Sequence, residues 1–275
     1  MIRVDLHTHS TRSDGTMSPE ELVARARRRG VAVLSLTDHD TTAGVEEFLR
    51  ACRRSGVRGV AGVELSAEAP YTLHLLGYRF AVGDPRMEEA LEEVRRHRDR
   101  RNGAICDKLG HLGVPVSLEE ALRESRGEVL GRPHIAQAMI RKGYARDMKD
   151  AFCRYLGRGA PAYVPRVRLC PERCLELVAN AGGVTVLAHP AQTNLPPDDL
   201  EALLRRLRDR GLWGLECHIP ASPPDEIFFH LRLAGKLGLH ATAGSDFHGS
   251  HRPGVDLGCG VEESLLPWAR LGVAL

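Results

Sequence analysis

Two histidines near the start of the chain have the spacing that allows two side chains to bind one metal ion. His7 and His9 follow the apolar residues Val4 and Leu6 in a run that is typical of a β-strand. On a strand, both imidazoles point to the same face and can reach the same cation. A short motif of this kind also arises by chance in a chain with 13 histidines. The case for a metal site therefore depends on which other potential ligands accompany the pair.

Five more potential ligands share one property, which is that each comes at or just after the end of a predicted strand: His39, Glu64, His189, Asp246 and His248. In a barrel of parallel strands, all the carboxyl ends open on the same face, where loops build the active site. Residues scattered along the sequence would then meet in one pocket. Asp14, in the first loop, and His74, in a fourth predicted strand, join them if both lie over the same rim.

Together these side chains are six histidines and three carboxylates. That is too many for one ion with four to six ligands, but it suits two or three ions that share a bridging carboxylate. Imidazole-rich sites of this kind favour Mn, Fe or Zn over Mg or Ca. Taken singly, several of the residues also have structural explanations, such as helix caps at Asp38 and Asp40 or a strand end at His189. The coincidence of all nine with strand ends and one loop favours the metal site.

The segments that carry these residues alternate between strand and helix. A capping box at Ser18 and Glu21, with Pro19 at the first helical position, begins the first helix, and Gly30 ends it. Short apolar runs predict strands, with helices between most of them, at residues 31–36, 57–65, 71–79, 184–188, 212–217 and 239–243. With the first strand this makes about seven, and the alternation is typical of a parallel sheet.

One long segment breaks this alternation. From Pro85 to about Leu156 the sequence shows only helical signals, which include a long charged helix and a capping box at Ser117 and Glu120. We therefore predict an α/β protein, in which residues 1–80 and 165–275 form the barrel and residues 81–164 form an inserted all-helical subdomain.

Composition limits the class of protein. The 275 residues, 43% of them hydrophobic, suffice for a barrel-sized core, and the longest apolar runs are too short to span a membrane. No basic and apolar leader precedes Asp5, so we expect a cytoplasmic protein without a membrane partner. A net charge of +2 is too balanced for a protein that coats nucleic acid. Seven scattered cysteines indicate neither a disulfide framework nor a structural zinc site. The oligomeric state stays open.

Five motifs, in this order, resemble those of the PHP (polymerase and histidinol phosphatase) superfamily: Asp5-Leu6-His7-Thr8-His9-Ser10, Thr37-Asp38-His39-Asp40, Gly62-Val63-Glu64, Ala188-His189-Pro190 and Gly244-Ser245-Asp246-Phe247-His248. The resemblance spans residue 1 to about residue 250. It implies a distorted (β/α)7 barrel with a phosphoesterase centre of two or three metal ions, manganese being expected and iron or zinc being the alternatives.

The resemblance also implies how the ligands divide among the ions. His7, His9, Glu64 and Asp246 would hold one ion, Glu64 with His74 and His189 a second, and Asp14, His39 and His248 a third. Such a trinuclear centre would supply a metal-bridging hydroxide for attack on phosphorus, so no protein nucleophile would be required. Many family members have a Glu and, a few residues on, a His after the sixth strand. The sequence Glu216-Cys217-His218-Ile219-Pro220 departs from that pattern, and we assign no role to Glu216 or His218.

The helical insertion and the turn Gly131-Arg132-Pro133-His134 further resemble one branch of the superfamily, the nucleoside 3′,5′-bisphosphate phosphatases and the 5′-to-3′ exoribonucleases that act on short RNA. In that branch the insertion covers the metals and contacts the substrate, through residues that would be Arg100, Arg101, Asn102, Arg132 and His134. Guanidinium groups suit bidentate phosphate contacts, although arginines are also common on solvated helix faces. The expected substrate is a small nucleotide or a short oligonucleotide.

Two other enzyme classes stay open. A phosphatase of the histidinol phosphatase type would need no contact for a second phosphate. An amidohydrolase or deaminase also begins with His-x-His on its first strand, but that class usually has a lysine at a strand end, and we find none after a predicted strand. A non-enzymatic adaptor would be expected to lack some of the ligands, and none of the nine is missing.

Overall fold

The computed structural model describes residues 1–125 and 130–273, which fall into two compact units. One unit comprises Met1–Leu91 and the chain from Arg168 onward, and the other comprises Glu92–Val167. The helical insertion was predicted to begin at residue 81. The boundary between the units lies later because Met87 and Leu91 are buried in the hydrophobic core of the first unit.

The first unit is a nearly closed α/β barrel, as the sequence predicts. Its described strands are β1 (Ile2–Asp5), β2 (Val33–Leu36), β3 (Arg58–Ser66), β4 (His74–Tyr78), β5 (Val184–Leu187), β6 (Leu212–His218), β7 (His240–Ala243) and β8 (Cys259–Val261). Their order in the sheet is β7-β6-β5-β4-β3-β2-β1-β8. Strands β1 to β3 are parallel to their neighbours in that group, and so are β5 to β7.

Two strands differ from the prediction. Strand β4 is antiparallel to both β3 and β5, whereas an all-parallel sheet was expected. Only residues 67–73 join β3 to β4, too few for the crossover that parallel neighbours require. Strand β8, which pairs antiparallel with β1, was not predicted. It has three residues, too few to show an alternating pattern.

The barrel closes where the chain beyond β1 meets the chain beyond β7. The backbone N–H of Leu6 donates to Ala243 O, and that of Asp246 donates to His7 O, both at 2.9 Å. Below this seam the barrel interior is filled by buried apolar side chains from the strands, including Val4, Val33, Val60, Leu76 and Val186. The apolar interior therefore ends where the polar motifs begin.

Helices cover the outside of the sheet. They are α1 (Pro19–Arg28), α2 (Val45–Ser55), α7 (Pro171–Asn180), α8 (Pro197–Arg208) and α9 (Pro224–Leu237). The predicted capping box is present at α1, where Ser18 Oγ accepts from Glu21 N and Glu21 Oε2 accepts from Ser18 N. Within the described residues, no helix combines the length and the apolar character that a membrane span needs.

The second unit is helical in its described part. Helix α3 (Pro85–His111) begins in the first unit and ends in the second, which also contains α4 (Leu118–Ser125), α5 (Arg132–Arg141), α6 (Met148–Ala151) and a π-helical turn (Phe152–Leu156). Its own core contains the buried side chains of Ile105, Leu109, Ile135 and Met139. This separate core explains how a long insertion can be stable as a unit of its own.

Candidate metal centre

The nine predicted ligands lie together at the rim formed by the carboxyl ends of the parallel strands. They form four overlapping groups, in each of which the potential ligand atoms lie within 4.8 Å of one another. The groups are His9, Asp14, His39 and His248; His7, His9 and Asp246; His7, Glu64 and His189; and His39, Glu64 and His74. Residues that are separated by as many as 241 positions therefore share one site.

His74 reaches the rim because β4 runs in the opposite direction to its neighbours. It is the first residue of β4 and pairs with Ser66, the last residue of β3. In a parallel strand the same position would lie at the other end of the barrel. The sequence predicted His74 as a ligand, and the reversal of the strand explains its position at the rim.

Glu64 lies at the centre of the site. Its side chain is fully buried and faces five imidazoles. Oε1 lies 2.9 Å from His189 Nε2, 2.9 Å from His74 Nδ1 and 3.3 Å from His7 Nε2. Oε2 lies 2.8 Å from His39 Nδ1 and 3.3 Å from His9 Nε2. A carboxylate with both oxygens among imidazoles can bridge two cations.

The arrangement of the ligand nitrogen and oxygen atoms suits metal coordination better than it suits hydrogen bonding among the side chains. Among the nine predicted ligands, four buried side-chain atoms make no well-formed hydrogen bond: His7 Nε2, His9 Nε2, His39 Nδ1 and Glu64 Oε2. Two ligands at about 2.1 Å from one ion lie roughly 3.0 to 3.4 Å apart, the spacing seen around Glu64. Because burying polar atoms without partners is costly, this arrangement is expected where cations complete the contacts.

The charges of the cluster balance one another. Burial raises the pKa of Glu64, but His39, His7 and His74 outweigh this effect and hold it well below its usual value. Burial lowers the pKa of His39, but Glu64 and Asp14 outweigh it and raise the pKa to about 9. For His9, burial together with His248 and His39 lowers the pKa to about 3. The imidazole of His9 is therefore neutral, as a metal ligand must be.

The metal-free protein is expected to lose stability as the pH rises from 6.5 to 9. The folded pKa of His39, about 9, lies above its usual value of 6.5, so its protonation stabilises the fold fully below pH 6.5 and no longer above pH 9. The raised pKa of His7 acts in the same direction. Thermal unfolding with a chelator at pH 6.5, 7.5 and 8.5 measures this effect.

The metal-loaded protein is the control for that measurement. Bound ions require neutral imidazoles, so the stabilisation by Mn²⁺ is expected to grow over the same pH range. A melting temperature of the metal-free protein that rises between pH 6.5 and 8.5 would contradict the charge distribution described here.

Two buried aspartates hold the loops that carry the ligands. Asp38 accepts from Ser10 N at 2.7 Å, from Ser10 Oγ at 2.6 Å and from Ser13 Oγ at 2.5 Å. Asp5 accepts from Ser245 N, from Ser245 Oγ and from the N–H of Gly258. Asp38 was considered as a helix cap, but in the structure it fixes the first loop. The only signal in the sequence was the position of each aspartate one or two residues before a ligand.

The backbone is strained where ligands leave the strands. Asp40, His189 and Asp246 have positive φ angles of 52°, 23° and 56°. This region is costly for residues other than glycine and concentrates at functional sites. Two of these three residues are predicted ligands, and Asp40 Oδ1 accepts from Ser66 N beside His74.

Two residues at the site were not predicted from the sequence. Glu216 is buried and contacts both His7 and His189, although no role had been assigned to it. Arg252 forms an ion pair with Asp246 Oδ2 and also donates to Asp246 O at 3.2 Å. His218, the last residue of β6, belongs to none of the four ligand groups found among the described residues.

The five predicted substrate contacts all lie in the helical unit. Arg100 is exposed, whereas Arg101 and Asn102 are buried. Arg101 Nη2 donates to Asn102 Oδ1, and Asn102 Nδ2 donates to Leu130 O at 2.8 Å. Arg132 donates to Leu156 O and lies over the rings of Phe152 and Tyr163, while His134 Nδ1 accepts from Gly131 N. Four of the five therefore also have structural contacts within their unit.

Comparison with known proteins identifies relatives of similar length. The PHP domain profile matches residues 5–83. A 3′,5′-nucleoside bisphosphate phosphatase from Chromobacterium violaceum is 32% identical over 260 residues, which cover 94% of this chain and 91% of that protein. A 5′-3′ exoribonuclease from Haemophilus influenzae is 35% identical over 247 residues, which cover 90% of each chain.

A solved structure has the same fold over nearly the whole chain. It is an amidohydrolase from Chromobacterium violaceum with bound sulfate and no metal, and it superposes with a TM-score of 0.84 at 30% identity. The match covers 98% of this chain and 95% of that one. The likeness therefore includes the chain outside the region that the domain profile matches.

Proposed function

The chain belongs to the PHP family and is a metal-dependent phosphoesterase, and from this we propose that it hydrolyses phosphomonoesters of nucleotides. The proposed substrate is a nucleoside 3′,5′-bisphosphate, which loses its 3′-phosphate, with short 5′-phosphorylated RNA as a second substrate. The observation that carries the proposal is the cluster of nine ligands around Glu64. The names of the two relatives, which match about nine-tenths of the chain, support this choice of substrate.

The ligand groups suit two or three divalent ions, for which we propose Mn²⁺, with iron or zinc as alternatives. Glu64 is the proposed bridge, with His7, His9 and Asp246 on one side and His74 and His189 on the other; Asp14, His39 and His248 would hold a third ion. When bound, the ions would polarise the phosphoryl group and acidify a water molecule. In the structure His9 also lies close to the third group, so its assignment to the first ion is part of the proposal.

The rest of the site supports hydrolysis without a protein nucleophile. Ser10 and Ser13, in the first loop, both donate to the carboxylate of Asp38. Ser13 Oγ also lies 3.5 Å from His9 Nδ1, but its 2.5 Å hydrogen bond to Asp38 holds it as a structural donor. Arg252, which is about one-third exposed and paired with Asp246, is placed to neutralise charge on a phosphoryl oxygen.

We further propose that the helical unit covers the site and contacts the second phosphate of the substrate, through Arg100, Arg101, Asn102, Arg132 and His134. The protein would work in the cytoplasm on small nucleotides or short oligonucleotides. The family branch supports this assignment, and the substrate preference tests it.

The Arg101→Ala variant is expected to raise KM for adenosine 3′,5′-bisphosphate about tenfold or more, with a much smaller effect on KM for AMP. A lost charge-assisted contact to phosphate costs about 1.5 to 3 kcal/mol, and only the bisphosphate has the second phosphate. Steady-state kinetics with both substrates measures the difference. Because Arg101 is bonded to Asn102, the melting temperature of the variant is recorded as well.

The matched control is Arg96→Ala, which removes an exposed arginine from the same helix. It is expected to change neither KM. Equal increases in KM for the two substrates after Arg101→Ala would rule out a contact that is specific to the second phosphate.

The proposed function is tested by one panel of substrates. Metal content of the purified protein is measured first, and phosphate release is then followed from adenosine 3′,5′-bisphosphate, AMP, short 5′-phosphorylated RNA and histidinol phosphate. We expect the highest kcat/KM with the bisphosphate. A higher kcat/KM with histidinol phosphate would show that the proposed substrate is wrong. If none of the four substrates were hydrolysed, the proposed function itself would be contradicted.

A further inference from the structure

Glu216 has contacts that a purely structural carboxylate does not need. Its side chain is 1% exposed and lies near the end of β6, just before the pairing register with β7 shifts between Glu216 and His218. Glu216 belongs to none of the four ligand groups, yet it contacts two of their members.

The first contact is with an imidazole. Glu216 Oε1 lies 3.0 Å from His7 Nδ1, and Oε2 lies 3.2 Å from the same nitrogen. A carboxylate at this distance accepts a hydrogen bond from Nδ1–H, which in the neutral imidazole leaves Nε2 as the nitrogen with a free lone pair. Nε2 is the atom of His7 that lies 3.3 Å from Glu64 Oε1 and 3.5 Å from Asp246 Oδ1. His7 Nε2, the nitrogen that can coordinate a metal ion, therefore faces the other predicted ligands.

The second contact is with the backbone of another ligand. The N–H of His189 donates to Glu216 Oε2 at 2.7 Å. His189 has the unfavourable φ angle of 23°, and this short hydrogen bond helps to hold it there. The His189 side chain can then place Nε2 at 2.9 Å from Glu64 Oε1. One carboxylate thus fixes ligands from two different strands.

We infer that Glu216 is a positioning residue of the metal centre, which selects the tautomer of His7 and holds the backbone of His189 in its strained conformation. This inference rests on the proposed metal-dependent function. It assigns to Glu216 a role in the affinity for ions, and none in direct contact with the substrate. Carboxylates that accept from a ligand histidine typically contribute 10- to 100-fold to metal affinity.

The test is the Glu216→Gln variant, which keeps the volume of the side chain but has only one acceptor oxygen for two donors. Equilibrium dialysis against Mn²⁺ is expected to show binding about 10- to 100-fold weaker than wild type. The metal-free variant should remain folded, as judged by circular dichroism. Asp150→Asn is the control, because it replaces a buried carboxylate that pairs with Arg146 and Arg154 in the helical unit. It is expected to lower the melting temperature and to leave Mn²⁺ affinity unchanged.

A second measurement needs only the wild-type protein and decides the question if Glu216→Gln does not fold. In ¹⁵N-histidine-labelled protein loaded with Zn²⁺, His7 is expected to bind through Nε2 and to carry a hydrogen-bonded proton on Nδ1. The signal is assigned by its absence in His7→Asn. Binding through Nδ1, or unchanged Mn²⁺ affinity in Glu216→Gln, would overturn the inference alone. If wild type bound no metal, the proposed function would fail together with it.

Discussion

The Glu64→Ala variant is expected to bind less metal and to hydrolyse nucleotide substrates at least ~10³-fold more slowly than wild type. Both oxygens of Glu64 lie among five imidazoles, so its removal takes a ligand from every ion that it bridges. Catalytic metal ions contribute several kcal/mol of transition-state stabilisation, and about 4 kcal/mol corresponds to 10³-fold in rate. Metal content and kcat/KM with the preferred substrate, measured on the same preparation, test this expectation.

Glu68→Ala is the matched control for that experiment. Glu68 lies four residues further along the chain and is exposed. Its removal is expected to leave metal content and activity at the wild-type level. A folded Glu64→Ala variant with full activity would refute the proposed site.

The Gly244→Ala variant is expected to lose at least about 100-fold in activity and to be destabilised by about 1 to 3 kcal/mol. A methyl group at this position would overlap Glu216 Oε1 and His7 Cβ, and would lie 3.0 Å from His7 N. Neither neighbour can yield freely, since His7 lies on the barrel seam and Glu216 is buried. The absence of a side chain at Gly244, in the last motif, therefore leaves space for His7, in the first motif.

Chemical denaturation and kcat/KM measure the two effects of Gly244→Ala. Gly235→Ala is the control, with an expected change in stability of opposite sign. Gly235 lies within α9, and a methyl group there would meet nothing within 4 Å. It is expected to stabilise the protein by up to about 1 kcal/mol without changing activity. Wild-type activity and stability in Gly244→Ala would show that the packing around His7 is looser than the structure indicates.

The ligand cluster could be predicted from the sequence because strand ends are the positions where barrels place functional groups. That rule holds for His7, His39 and Asp246 whatever the exact register of the strands. The direction of β4 could not be predicted, because an apolar run has the same pattern in a parallel and an antiparallel strand. His74 therefore joined the predicted cluster only on the condition that the fourth strand lies over the same rim.

Most of the residues that surround the ligands could not be predicted from the sequence. Glu216 lies in an otherwise apolar strand whose neighbours Leu215 and Cys217 are buried on the opposite face, and no local pattern indicates which of the two faces meets the site. Arg252 is one of many arginines, and its pairing with Asp246 depends on a loop without regular structure. The helical unit begins later than predicted because α3 runs without a break from the first unit into the second. Only packing shows that Met87 and Leu91 belong to the core of the first unit.

The seam of the barrel has a consequence for when the enzyme can acquire its ions. His7 and His9 precede Asp246 and His248 by some 240 residues, so a ribosome makes the first pair well before the second. Until then the growing polypeptide has the start of a chelating site without its end. With the proposed ligands, ion uptake would therefore be a late event in biogenesis, because the ions would join a segment that is made early to one that is made much later. Ion binding then favours the complete, folded molecule over any partial one.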